Sequence, residues 1–254
     1  MARTYEIVGE IIMLAKTGYA DGALARWRSL HEVCVIAMFL AKQSDRCAQM
    51  YLSHNRIEEL RLLEVDHASG TTRASAPDLE RYVQDLRKQK NAMVSKLGAA
   101  FANDYGWASV ELGRTRTTFR DIENYVGLDT LRRGYKQANS TVHGGALATL
   151  TRISLGPGAV YGDEASPAYG CEVAANYTTA SLSMMVAELC LETESADLLT
   201  MSLVIHNFGS KIREQINKTQ KKVSGDTLRE KILMRKAEQR ALRRKPRRAL
   251  RYCR

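Results

Sequence analysis

A chain of 254 residues, 44% hydrophobic and 26% charged, is long enough to bury a full core and too apolar to remain disordered. Its formal net charge is +10, with five scattered cysteines and four prolines. The longest apolar run, "VCVIAMFLA" at 33–41, is about half the ~20 residues that cross a bilayer, which excludes a membrane-spanning helix.

In chain order, residues 4–17 read as an amphipathic helix closed by Gly18, and "YADG" at 19–22 as a turn with Asp21 capping the second helix. Glu6 and Glu10 interrupt the apolar residues of the first helix, so it is not read as an export signal. With its five cysteines scattered without paired spacing and no export signal, the chain is expected to be cytoplasmic with reduced thiols, and no Cys-x-x-Cys pair suggests zinc. "GALARWRSLHEVCVIAMFLAKQ" makes a long helix whose buried stripe is Leu24, Trp27, Leu30, Cys34, Met38 and Ala41. Ser44 and Asp45 open a third helix to about Val65. After a polar loop at 68–78, "DLERYVQDLRKQKNAMVSKLG" is a charged helix ending at Gly98.

"NDYGWASVELGRTRTT" reads as irregular, with a short helix near 118–126 after it and another at about 129–142. A loop spans 155–170, and a continuous apolar helix is expected from Cys171 to about Val204, with a break near Gly209. No sustained period-two alternation occurs. The expected fold is therefore all-α, a bundle of about six to eight helices over residues 1–209. A basic C-terminal arm over 210–254 is expected to be helical at first and frayed beyond "RRKPRR".

Charge divides unevenly. From Lys211 onward there are 17 Lys/Arg and 4 Asp/Glu, whereas residues 1–210 hold 21 basic and 24 acidic residues. A near-neutral body with a strongly basic arm points to a polyanionic partner, nucleic acid ahead of an anionic membrane surface. The residues assigned to that contact are Arg235, Lys236, Arg240, Arg243, Arg244, Lys245, Arg247, Arg248 and Arg251. Phosphate neutralisation by them would be salt-dependent and poor in sequence information. A solubilising tail, or an arm that docks on an acidic protein, is the plain alternative.

Gly-x-x-x-x-Gly-Lys-Ser/Thr, Gly-x-Gly-x-x-Gly and Gly-x-Ser-x-Gly are all absent, and "HEVCV" lacks the second His of a zinc-protease helix. The sharper signal is "LRRGYKQANSTVHGGA" at 131–146. Arg132, Lys136, Asn139 and His143 recur at spacings of four, three and four, which places them within about 60° on one helix face. Such a column can be a solvated face. It can also cleave RNA without metal: His143 would move a proton at the 2′-hydroxyl or the leaving oxygen, Asn139 would orient it or the phosphate, and Lys136 with Arg132 would supply positive charge. A second polar cluster, Arg28, His31 and Glu32 in "RWRSLHE", reads as a structural or supporting group.

Four stretches carry a family likeness. "GYADGALARWRSLHEVCVIAMFLA", "YLSHNRIEE", "NDYGWAS" and "GYKQANSTVHGG" together resemble the bacterial domain-of-unknown-function family 5677, over roughly residues 5–210. That resemblance implies an all-helical domain and no particular activity. More distantly, the Lys/Asn/His segment is similar to the HEPN superfamily of RNases, toxins and nucleotide-binding helpers, whose Arg…His pair is completed across a homodimer. Here Lys136, with six residues between it and His143, stands where that pattern has Arg, and Lys lacks the forked grip on phosphate. "RWRSLH" also contains Arg26 and His31 with four residues between them, but these lie about 140° apart on a helix.

The expectation is thus a cytoplasmic, homodimeric, nucleic-acid-associated helical protein that takes RNA in preference to DNA and needs no cofactor or metal. Its body would be a HEPN-like ribonuclease or toxin-like effector of a defence kind. Two other readings stand beside it. One is a non-enzymatic scaffold tethered by its arm to nucleic acid or a protein; the other is a metal-binding bundle built from His31, Glu32, His54, Glu58 and His143.

Overall fold

A computed structural model describes residues 2–68, 77–146, 149, 170–191 and 195–244. Among these residues the regular structure is all helical. The helices are α1 (Ala2–Lys16), α2 (Ala20–Ala41), α3 (Asp45–Ala68), α4 (Pro77–Leu97), α5 (Gly106–Leu112), α6 (Phe119–Tyr125), α7 (Arg132–Val142), α8 (Cys171–Leu191) and α9 (Ala196–Arg244). Short 3₁₀ turns at Ala99–Ala102 and Asp129–Leu131 precede α5 and α7. The fold is the all-α multi-helix bundle that the composition and periodicity predict, and no helix among the described residues is long and apolar enough to cross a membrane.

The chain forms two compact units, Met1–Leu30 with Gly134–Ala180 and Val204–Arg254, and His31–Arg133 with Ser181–Leu203. In the first, Ile7 and Ile11 sit one turn apart on the buried side of α1. That helix stops where Gly18 takes a φ of +86°, and the Tyr19 amide donates back to the Leu14 carbonyl at 2.8 Å. Trp27 of α2 stacks on Tyr177 of α8 with ring centroids 4.6 Å apart. In the second unit, Phe39 meets Trp107 and Tyr125 edge-on at 5.6 and 5.1 Å. Each such aromatic pair adds about 1 kcal/mol beyond the area it buries.

Three elements differ from the sequence reading, each for a local reason. The stretch read as irregular contains α5, which begins at Gly106. A Cβ there would collide with the Phe101 carbonyl, so this glycine serves close backbone approach and not chain breakage. The helix expected to run from Cys171 to Val204 ends at Leu191, and Ser195 starts a new one, its hydroxyl accepting from the Leu198 amide. The break expected near Gly209 does not occur. Gly209 is buried, seven residues beyond buried Ser202, and α9 passes through it for 49 residues, about 74 Å. The expected body–arm boundary at 209/210 lies inside that helix.

Candidate functional site

The site grows from a short helix with a strong start. In α6, Thr118 and Asp121 form a reciprocal capping box: the Thr118 amide and hydroxyl donate to Asp121 Oδ2 at 2.8 and 2.7 Å. Those bonds hold the Asp121 carboxyl below the usual carboxylate range, and the paired Arg114 guanidinium adds to the effect. With its start fixed, α6 turns Phe119, Ile122 and Val126 into the core, and Glu123 goes with them. Gly127, at φ +73°, follows the end of α6, and the 3₁₀ turn after it leads into Arg132.

The outcome is a buried hydrogen-bonded chain. Glu123 is wholly inaccessible, and so is His31 of α2. His31 Nε2 lies 2.8 Å from Glu123 Oε1, and an Arg132 guanidinium nitrogen donates to Glu123 Oε2 at 2.7 Å. Each carboxylate oxygen therefore has its own donor, and the His31 ring meets Phe119 edge-on at 6.0 Å. A carboxylate withdrawn from water is tolerated only when it is paired in this way.

This chain joins one residue from each group singled out in the sequence, Arg132 and His31, through an acid that sequence reasoning missed. Arg132 lies nine positions after Glu123 and on a different helix, so no helical spacing links them. The available signal was that Glu123, unlike Asp121 before it, comes directly after Ile122 and four residues beyond Phe119, on the apolar side of its helix. Arg28 faces elsewhere. Its guanidinium sits 5.3 Å from the centre of the Tyr135 ring, with a long 3.4 Å bond to the hydroxyl. Glu32 is half-buried.

The remainder of the α7 column is open. Lys136 and His143 are exposed, and neither makes a side-chain hydrogen bond or ion pair to another described residue. Asn139 is half-buried, and its amide oxygen is shielded without a partner among the described residues. His143 occupies the turn just past α7, before Gly144 at φ +61°. A cation is favoured at that helix end. Behind the column α7 is tightly held, because a Cβ at Gly134 would lie 2.5 Å from the Tyr177 ring.

His54 is occupied structurally: Nε2 donates to the Asn103 carbonyl at 2.8 Å and Nδ1 lies 3.2 Å from Glu58. Among the described residues no group of three or more His, Cys, Asp or Glu side chains is placed to hold a metal ion. Burial pushes the Cys34 thiol up to about 12, and burial with the nearby Glu111 pushes Cys47 up to about 11. On the basic helix, Lys211, Lys218 and Lys222 are exposed. Arg235, Lys236, Arg240, Arg243 and Arg244 fall within α9, while Lys245, Arg247, Arg248 and Arg251 lie outside the described residues.

The described residues thus form an all-helical body with a buried His–Glu–Arg chain and a long helix whose C-terminal part is basic. The chain belongs to the family of unknown function DUF5677, whose model matches residues 1–158, from α1 through α7. No curated protein and no solved structure matches it. Every candidate residue of the helical body lies within the matched range, and α8 and α9 lie beyond it.

Proposed function

We propose that this protein binds nucleic acid, RNA in preference to DNA, through the basic part of α9, and that it acts as a homodimer. The observation that carries the reading is charge concentrated on one continuous helix: residues 211–244 of α9 contain twelve Lys/Arg against four Asp/Glu. Lys211, Lys218 and Lys222 recur at seven and four residues, which sets them on one side of the helix. The spacing continues at positions 229, 236, 240 and 243. Cations recurring at helical pitch suit a phosphate backbone and read no bases. Binding of mixed-sequence RNA and DNA as salt is raised tests it, since a phosphate rail loses affinity steeply and without regard to sequence.

Cleavage of the bound RNA is the second reading, favoured by the joint exposure of Lys136 and His143, seven residues apart on one side of α7. In it His143 takes the proton of a 2′-hydroxyl. The oxygen attacks the adjacent phosphorus and the bond to the 5′-oxygen breaks, leaving a 2′,3′-cyclic phosphate and, after proton return, a 5′-hydroxyl. Lys136 balances charge on the phosphate, while Arg132 acts at one remove because it is committed to Glu123. Incubating wild type and His143→Ala with a mixed RNA pool in chelator decides between the two readings. Loss of cleavage by about 100-fold or more in the variant supports catalysis. If neither protein cleaves, with the variant folded, the body is a scaffold tethered by its basic helix.

A further inference from the structure

The first turns of α9 are unusual for a surface helix. Between Leu198 and Ile212, eight large apolar side chains are exposed, with Met201, Leu203, Val204 and Phe208 between 57% and 66% accessible. Soluble chains rarely leave such a cluster uncovered. Five of the eight, Leu198, Met201, Ile205, Phe208 and Ile212, have a three-four-three-four spacing, which is the seam of a helix pair. Ser202 and Gly209, on one flank of that seam, are buried within the chain, whereas Val204 and Lys211, on the other flank, are open.

We infer that this seam is a self-association surface on which two copies of the chain pair α9 against α9 in antiparallel orientation. Charge selects both the occupant and its direction. Asp197 is the only Asp, Glu, Lys or Arg from Ser195 to Ser210, and the basic stretch begins at Lys211. An antiparallel register that seats Leu198 on Phe208 of the second copy, and Met201 on its Ile205, brings Asp197 beside Lys211 of the second copy. Two-fold symmetry makes that pair twice, with Val204 meeting its own counterpart on the same flank. The two basic stretches then leave in opposite directions. A parallel pair would instead require the open flank of Val204 and Lys211 to face the partner's Ser202 and Gly209 flank, which is buried within its own chain, and would run both basic stretches side by side, which like charge disfavours. Such a seam specifies the homodimer of the functional reading but needs nothing from nucleic-acid binding.

The test is the mass of the full-length protein by light scattering across a concentration series, with RNA affinity measured separately. Wild type is expected to double in mass by about 100 µM and to dissociate on dilution. Ile205→Glu, exposed enough to leave the fold intact by circular dichroism, should remain monomeric. Asp197→Lys should weaken the dimer several-fold, and adding Lys211→Asp should restore it, because the swap remakes both pairs. A wild type that stays monomeric overturns the inference and the homodimer together. A dimer indifferent to Ile205→Glu overturns the seam alone, and a double swap that fails to restore the dimer overturns the antiparallel register.

Discussion

Glu123 is the residue on which three helices depend, because its two oxygens receive His31 from α2 and Arg132 from α7. Glu123→Ala would remove the buried acceptor that a guanidinium and an imidazole share and leave a space in its place, and the expected loss is about 3–5 kcal/mol of stability. It would show as a lower urea midpoint at unchanged slope, and a loss below about 1 kcal/mol would contradict the pairing described. Gly134→Ala is the second residue-scale prediction. Its methyl would overlap the Tyr177 ring, itself stacked on Trp27, and the expected cost is about 1–3 kcal/mol by thermal melting. Cys34 and Cys47 should resist a thiol reagent in the folded protein and react on unfolding, since both thiols are held far from ionisation at neutral pH. At this scale the sequence was partly legible. Arg132 and His31 stood out as polar groups in helices, but the partner that unites them did not, because an acid on a seven-residue helix looks like part of a wet face.

At the scale of elements, α6 depends on its capping box. The Asp121 carboxyl sits below the usual range because Thr118 donates to its ionised form, with Arg114 in support. A depressed carboxyl stabilises the fold fully above its unfolded value of about 3.9. That contribution disappears as pH falls through the lower folded value. Asp121→Asn should therefore lose stability at neutral pH and show a shallower decline below about pH 4, measured by urea titration at several pH values. Thr118→Ala should cost about 1 kcal/mol through the same cap. Helices with a clear apolar stripe, α1 to α4, were readable because burial repeats at the helical period. Those governed by a glycine were not. Gly106 and Gly209 look like stops in a sequence, yet one admits a neighbouring carbonyl and the other lies within a buried helix face. Which of these roles a glycine plays is set by what packs against it, and that information lies far away in the chain.

Across the whole molecule, the family match and the charge fall on different parts of the chain. Residues 1–158 carry the family's helices, His31, Glu123, Arg132 and the α7 column, whereas the basic stretch begins at Lys211. The family's helices supply the packed scaffold and the basic part of α9 supplies the charge, so the two can be altered separately. His143→Ala should change any cleavage while leaving RNA affinity within about twofold, because one exposed imidazole contributes little beside twelve cations. The charge asymmetry was fully legible from composition. That it rides on one unbroken helix was not, because the glycine at 209 hid the continuity.

The most direct measurement is the salt dependence of binding between the full-length protein and a labelled mixed-sequence RNA strand, for wild type and for Lys218→Gln/Lys222→Gln. A phosphate rail on α9 predicts a linear fall of log affinity with log salt, similar for unrelated sequences. The double variant should have a slope shallower by about 1.4, near 0.7 per lysine removed on single-stranded RNA. Absence of binding at about 50 mM salt, or an affinity indifferent to both salt and the two lysines, would contradict it.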